Sequence, residues 1–381
     1  MDVIYLDNNA TTKPADEVVA AMLPYLTEFY ANPSSIHRFG QRSRQAIDEA
    51  RAQMAKLLGC PDSEISFTGG GTEAGNTAIR GLLLARSPRT QIITTTVEHS
   101  ATRELCQQLG KEQFDIVAIH VDSQGHLDLD QFQSALSEQT ALVSMMWANN
   151  ETGVIFPIEK IADLCRAQKV PFHCDATQAV GKIPIHLAEM PIEILTCAPH
   201  KFHGPQGVGV LAIKRGVRFR PLVIGGPQER NRRGGTENVA GIVGSGKAAE
   251  LALAHFPDIP RIAALRDRLE NEILTRIEQT SVNGDRTQRV ANTTNISFGR
   301  LEAEAILLLL SEQGICASAG AACSSGSLEP SPVLQAMKID PKIAHGAIRF
   351  SLSRYTTDKE IERTLELLPP IIHRLRQVLP I

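Results

Sequence analysis

The sequence has no long apolar run. Its most apolar stretch, Ala305 to Leu310, is far too short to cross a bilayer. It also lacks a basic excess. The formal net charge is −3, which argues against nucleic acid as a main partner and leaves no polybasic surface for a membrane. The N-terminus, Met1-Asp2-Val3-Ile4-Tyr5-Leu6-Asp7, has no basic segment followed by an apolar one, so no secretory signal is visible and the cytoplasm is the expected location. No C-x-x-C pair occurs among Cys60, Cys106, Cys165, Cys174, Cys197, Cys316 and Cys323. Their odd number and spacing fit neither a disulfide framework nor a zinc knuckle, and free thiols are expected. No internal repeat or low-complexity tract is evident.

What remains is an ordinary globular composition. The chain has 381 residues, 43% of them hydrophobic and 21% charged, enough for a sizeable core and of a length that suggests two domains. Short apolar strands alternate with amphipathic segments. Helices are expected over Gln41–Leu58, Thr72–Leu84 and Ile158–Ala167. Strands are expected over Glu64–Thr68, Gln91–Thr96, Ile116–Val121, Ala141–Trp147, Val170–Cys174, Ile192–Ala198 and Gly207–Ile213. This alternation predicts an α/β fold with a mostly parallel central sheet flanked by helices, whose ligand site lies at the carboxyl ends of the strands. After about Gly241 the texture changes. Helices Ala248–His255, Arg261–Ile277 and Ala303–Gln313, strands Asn292–Phe298 and Ala347–Ser353, and a closing helix Asp358–Val378 interrupted at Pro369-Pro370 predict a smaller α+β C-terminal domain. The expected division is 14–255 for the large domain, with 1–13 and 256–381 forming the small one.

Several polar groups fall at the expected strand ends. Phe67-Thr68-Gly69-Gly70-Gly71-Thr72-Glu73 reads as strand, glycine loop and helix start, where free backbone N–H groups and the helix dipole favour an anion. The other reading is a tight turn. The loop is neither a P-loop nor a G-x-G-x-x-G dinucleotide fingerprint. Asp175, closing a buried strand, either caps the next helix or pairs with a cationic ring nitrogen. Lys201 stands between a strand end and the Gly204-Pro205 turn, an odd place for a solvated charge and one where desolvation suits Schiff-base chemistry. His200 and His203 are candidate metal ligands without an evident third. Gly225-Gly226 and Gly234-Gly235 flank arginines in a loop that reads either as merely basic and flexible or as a donor of Thr236 and positive charge to a phosphate. Cys323 sits in Ser318-Ala319-Gly320-Ala321-Ala322-Cys323-Ser324-Ser325-Gly326-Ser327, a run of small residues with nothing large enough to bury a thiol. Cys316 follows a hydrophobic helix and is expected to pack.

These segments, taken in order, resemble the NifS/IscS group of cysteine desulfurases, fold-type I enzymes of the class V aminotransferase superfamily that use pyridoxal 5'-phosphate (PLP). The resemblance runs through Tyr5-Leu6-Asp7-Asn8-Asn9-Ala10-Thr11-Thr12, Asn32-Pro33-Ser34-Ser35-Ile36-His37, Val97-Glu98-His99, Asn149-Asn150-Glu151-Thr152-Gly153, Asp175-Ala176-Thr177-Gln178, His200-Lys201, Arg233-Gly234-Gly235-Thr236-Glu237-Asn238, Ala322-Cys323-Ser324-Ser325-Gly326-Ser327 and Ile348-Arg349-Phe350-Ser351. It implies that Lys201 holds PLP covalently, Asp175 pairs with the pyridinium nitrogen, His99 stacks on the ring and helps move protons, and Gln178 contacts the ring hydroxyl. Thr72, His200 and the backbone near Gly71 would hold the phosphate, with Thr236 donated by the other subunit of a homodimer. Asn150 and Arg349 would receive the carboxylate of L-cysteine, with Arg354 as second choice. Cys323 would take the sulfur as a persulfide while alanine leaves, and pass it to an acceptor such as an iron–sulfur scaffold protein. No metal site is implied beyond passing contact of Cys323 with a bound cluster.

The pattern is not followed everywhere. Alanines precede Cys323 where the family often has serines, the phosphate loop is Gly69-Gly70-Gly71-Thr72, Gln206 stands where a lysine is common, and the chain closes at Pro380-Ile381 without the longer tail of some relatives. Two rival readings stand beside this one: an aminotransferase or C–S/C–Se lyase that needs no enzyme thiol, and a silent PLP-type fold acting as a scaffold.

Overall fold

A computed structural model describes residues 3–85, 88–319 and 331–378. In chain order the strands are β1 (Ile4–Tyr5), β2 (Ile65–Thr68), β3 (Gln91–Thr95), β4 (Asp115–Ile119), β5 (Thr140–Met146), β6 (Phe172–Asp175), β7 (Ile194–Cys197), β8 (Gly209–Ile213), β9 (Thr280–Val282), β10 (Thr293–Phe298), β11 (Ile315–Cys316) and β12 (Ala347–Ser351). Seven of them form the central sheet in the order β2-β8-β7-β6-β5-β3-β4. All neighbours are parallel except β8, which runs against both β2 and β7. The expected mixed, mostly parallel sheet is therefore present.

The strands are buried on both faces, so alternate residues enter two different cores. Val143, Met145, Leu195, Cys197, Val210 and Ala212 face the helices Arg38–Leu58, Ile158–Ala167 and Val239–Ala254. Leu142, Ile194, Leu211 and Ile213 face the helices Gly71–Leu83 and Ser100–Lys111. A third core gathers Leu6 with Leu269, Phe298, Leu310, Phe350 and Leu365 around β9, β10, β12 and the helices Ile259–Arg276, Ala303–Glu312 and Asp358–Val378. In this region Glu270, fully buried, binds Arg289 through both carboxylate oxygens at 2.6 and 3.0 Å and also accepts from Arg286 Nε and Thr294 Oγ1.

Most expected elements appear within three residues of their expected ends. The helix Arg38–Leu58 starts earlier than the apolar pattern because His37 caps it, its Nδ1 accepting from the Gly40 N–H at 3.0 Å. Two differences are larger. The helix Val239–Ala254 begins well before Ala248, since Gly241, Gly244, Ser245 and Gly246 hide its periodicity. The reason for glycine is contact. A Cβ on Gly246 would come within 2.5 Å of Ala50 Cα on the neighbouring helix. The closing helix Asp358–Val378 also runs on through Pro369 and Pro370. Two prolines remove two backbone donors, but Ile361, Leu365, Leu368 and Ile372 on one buried face hold both halves against the same core. The short strands β1, β9 and β11 had no apolar pattern long enough to betray them.

Candidate active site

The carboxyl ends of β2, β3, β5, β6 and β7 share one edge of the sheet, and each runs into a polar group. Beyond β2 lies the glycine loop and the helix Gly71–Leu83; beyond β3, Glu98 and His99; beyond β5, Asn150; at the end of β6, Asp175; beyond β7, His200 and Lys201. They line a cavity of about 610 Å³ together with Asn9, Ala10, Thr72, Gln178, Arg103 and Arg349. Of the residues singled out in the sequence, Gly71, Thr72, His99, Asn150, Asp175, Gln178, His200, Lys201 and Arg349 are thus brought together.

Three are not. Thr236 is exposed on the loop before the helix Val239–Ala254 and does not line this chain's cavity. Arg354 lies apart as well, its guanidinium 5.1 Å from the Tyr355 ring centre. Cys323 lies outside the described residues. The described residues nearest to it in sequence are Ala319 and Ser331. Both flanks are tied to the site. Ser318 exchanges backbone hydrogen bonds with Arg349 at 3.2 and 2.7 Å. Ser331 caps the following helix and donates to Glu151 Oε2.

The N-terminal segment forms part of the floor. Lys201 Nζ donates to the Asn9 and Ala10 carbonyls at 2.8 and 2.7 Å. The Asn9 side chain reaches the Asn150 carbonyl, Thr293 Oγ1, Asn292 and Lys182. Gln178 Nε2 donates to the same Asn9 carbonyl at 3.0 Å. Asp175 Oδ1 accepts from the Thr177 N–H at 2.9 Å. Arg349 is held by Asp7 Oδ1 at 2.6 Å and donates to the Asn150 carbonyl at 3.0 Å. His200 Nδ1 meets Thr11 Oγ1 at 3.0 Å, and Gln206 Nε2 reaches the same hydroxyl at 3.2 Å. His203 turns away to Lys13 O and the Tyr355 ring, so the two histidines do not converge.

The electrostatics keep the imidazoles neutral. Burial pulls His99 below its ordinary value against the opposing pull of Asp175. Its Nδ1 accepts from the Ala101 N–H at 3.2 Å, so the neutral ring carries its proton on Nε2. Burial, helped by Lys201, takes His200 down to about 4. Glu98 is pushed up to about 8, chiefly by burial and further by Asp175. One Glu98 oxygen accepts from Thr95 Oγ1 and the Met146 N–H, each at 2.9 Å, while the other is buried without a hydrogen-bond partner. The glycine loop is drawn tight: Thr68 Oγ1 donates to the Gly70 carbonyl, and Glu73 links the Gly69 N–H to Arg233. Arg230 and Arg232 donate to carbonyls of residues 62–65 in their own chain.

The donor set suits PLP. It places a carboxylate for the ring nitrogen, a primary amine for the aldehyde carbon and an imidazole for the ring face. The first-turn amides of the helix Gly71–Leu83, with Thr72, are available for the phosphate. Open space supports the fit, since a Cβ on Gly70 or Gly75 would meet nothing within 4 Å. Asn9, Glu98, Glu151 and Lys182 had no role assigned from sequence. Three of them lie in the motifs that carried the resemblance. Lys182, four residues past Gln178, had no distinguishing signal.

Known proteins match this arrangement over the whole chain. The aminotransferase class-V family matches residues 4–364. A protein named cysteine desulfurase 2 from Trichormus variabilis is 56% identical over 380 residues, covering 100% of this chain and 96% of that one. Cysteine desulfurase NifS from Azotobacter vinelandii is 52% identical, covering 99% of this chain and 94% of that one. A solved NifS-like protein superposes with a TM-score of 0.92 at 36% identity, covering 98% of this chain and 100% of that one. A structure described as SspA in complex with cysteine gives 0.82 at 32% identity, covering 93% and 99%. That family implies PLP as its cofactor. The chain belongs to the aminotransferase class-V family, in its NifS-type cysteine desulfurase branch.

Proposed function

We propose that the protein is a cysteine desulfurase: it converts L-cysteine to L-alanine and passes the sulfur to Cys323. The convergence of Lys201, Asp175 and His99 in one cavity with Arg349 and Asn150 carries this reading. PLP, when bound, supplies an electron sink that labilises the substrate's Cα proton.

The chain's own groups do the rest. Lys201 would hold the cofactor at rest and would take the substrate's Cα proton on Nζ. Asp175 would pair with the ring nitrogen. His99, neutral and protonated on Nε2, would cover the ring face and hand on a proton from that nitrogen. Gln178 would contact the ring oxygen, while Thr72, His200 and the Gly71 amide would bind the phosphate. Arg349 and Asn150 orient the substrate carboxylate. Cys323 Sγ, as thiolate, attacks the substrate sulfur. The Cβ–S bond breaks, its electron pair stays with the amino-acid fragment, and protonation of that fragment yields alanine.

The exposure of Thr236 fits a homodimer in which this loop completes the neighbour's phosphate site, and size-exclusion chromatography of an active monomer would count against it. The separate core around Leu6 and Leu269 supports the division into 14–255 and 1–13 with 256–381. Among the described residues no helix is long and apolar enough to cross a membrane. The free thiols Cys60, Cys106, Cys165, Cys174, Cys197 and Cys316 fit a reducing cytoplasm, and an iron–sulfur scaffold protein is the acceptor we favour.

The test is mass spectrometry of the Cys323 peptide after brief exposure to L-cysteine, with alanine release followed in wild type and Cys323→Ala. A single sulfur adduct on Cys323, and loss of alanine formation in the variant, is expected. Undiminished sulfide release from the variant establishes a lyase instead. A colourless protein that takes up no PLP points to a scaffold.

A further inference from the structure

Lys182 is a second lysine beneath the cavity, and none of the chemistry above uses it. Its stem is partly exposed, but its amine is enclosed. Nζ donates to Asn9 Oδ1 at 2.8 Å and to Gln178 Oε1 at 2.6 Å. Both acceptors are neutral amides. The cations facing it are Lys201 and Arg349, and its affinity for a proton is lowered, first by burial and then by these two. An amine in so costly a place needs a use.

The bond to Gln178 supplies one. A carboxamide has an acceptor end and a donor end, and either can turn toward a ligand unless a neighbour decides. Lys182 Nζ is the donor in both of its bonds. By seizing Oε1 it commits Nε2, with two hydrogens, to the other side. One hydrogen goes to the Asn9 carbonyl at 3.0 Å. The second is left for the cavity that Gln178 lines. Asn9 is fixed by the same amine. With Oδ1 on Lys182, its Nδ2 goes to the Asn150 carbonyl and Thr293 Oγ1. Its main-chain carbonyl remains the common acceptor of Gln178 and Lys201.

We infer that Lys182 is a positioning residue that locks Gln178 as a hydrogen-bond donor toward the ring oxygen of the bound cofactor. The inference rests on the PLP reading of the site. The donor matters because that oxygen carries negative charge in the resting cofactor, and an inverted amide would present a carbonyl to it.

The experiment uses PLP-loaded protein and protein stripped of PLP and titrated with it. Lys182→Met keeps the stem and removes the donor, whereas Lys182→Arg keeps a donor-only group. Gln178→Leu and the double variant Lys182→Met/Gln178→Leu complete a cycle. Lys182→Met is expected to move the visible absorption band in the same direction as Gln178→Leu and to raise the PLP dissociation constant about three- to tenfold. Lys182→Arg should lie nearer wild type on both measures. Lys182→Met should add little in the Gln178→Leu background. A Lys182→Met protein with the wild-type band and affinity overturns the inference. So does an effect that persists undiminished without Gln178. Those failures leave the wild type yellow; a wild type that binds no PLP removes the functional reading and this inference with it.

Discussion

Asp7 Oδ1 stands 2.6 Å from Arg349 Nη2, two residues 342 positions apart in the chain. Arg349 is almost fully buried, and its Nη1 donates to the Asn150 carbonyl. The pair sets the plane of the guanidinium before any substrate arrives. Asp7→Asn keeps an acceptor but removes the charge. It is expected to raise KM for L-cysteine about tenfold with kcat changed less than threefold, the signature of a loosened carboxylate clamp. Steady-state alanine formation checks this, and a fall in kcat at constant KM counts against it.

Gly209 on β8 faces the Gly70 carbonyl so closely that a Cβ would lie 2.1 Å from it and 2.5 Å from Thr68 Oγ1. Gly209→Ala must push the glycine loop away from the sheet. Overpacking strain of about 1–3 kcal/mol should appear as PLP affinity weakened by about tenfold or more. Fluorescence titration of the stripped protein measures it, and an unchanged dissociation constant would show that the loop does not seat the phosphate.

Breaking the buried ion pair at Glu270 affects folding and not chemistry. Glu270→Ala leaves the buried Arg289 guanidinium with Asp267 Oδ1 at 3.5 Å in place of its two short bonds to Glu270. Such losses cost about 3–5 kcal/mol, so the urea midpoint should fall clearly while PLP still binds below the transition. Glu270→Gln should fall between the two.

Acid and base act on the fold through different groups. His173, His200 and His203 sit at about 4, chiefly through burial, against an ordinary 6.5. The unfolded chain therefore binds more protons across that window, and stability falls as pH drops from 6.5 toward 4. Glu98 has the opposite sign. At about 8 against 4.5, the folded state holds the extra proton, so stability falls as pH rises from 4.5 through 8. Glu98→Gln should raise the melting temperature at pH 8 relative to wild type and steepen the loss below pH 6.5. Calorimetry across pH 5 to 8.5 decides, and parallel curves for the two proteins refute the assignment.

Much of this was legible in the sequence, for a physical reason. Strands buried on both faces read as apolar runs, and the polar residue ending each run marks the edge where ligands bind. Asp175 and Lys201 were found that way. The N-terminal floor was not. β1 is two residues long, and the importance of Asn9 lies in its seven hydrogen bonds to residues from 150 to 351, which no local pattern reveals. Lys182 escaped notice because a lysine four residues after a glutamine carries no distinguishing local pattern. Only its enclosure distinguishes it. The glycine-rich start of the helix Val239–Ala254 was hidden for the opposite reason: close packing against Ala50 replaced the large apolar residues that betray a helix.

The Asn9 carbonyl accepts from Lys201 and Gln178 at once. In the proposed reaction, where the lysine turns to the cofactor, that carbonyl would keep its other donor. The amine's berth would then stay in place for its return, as a reagent that must be regenerated at every cycle requires.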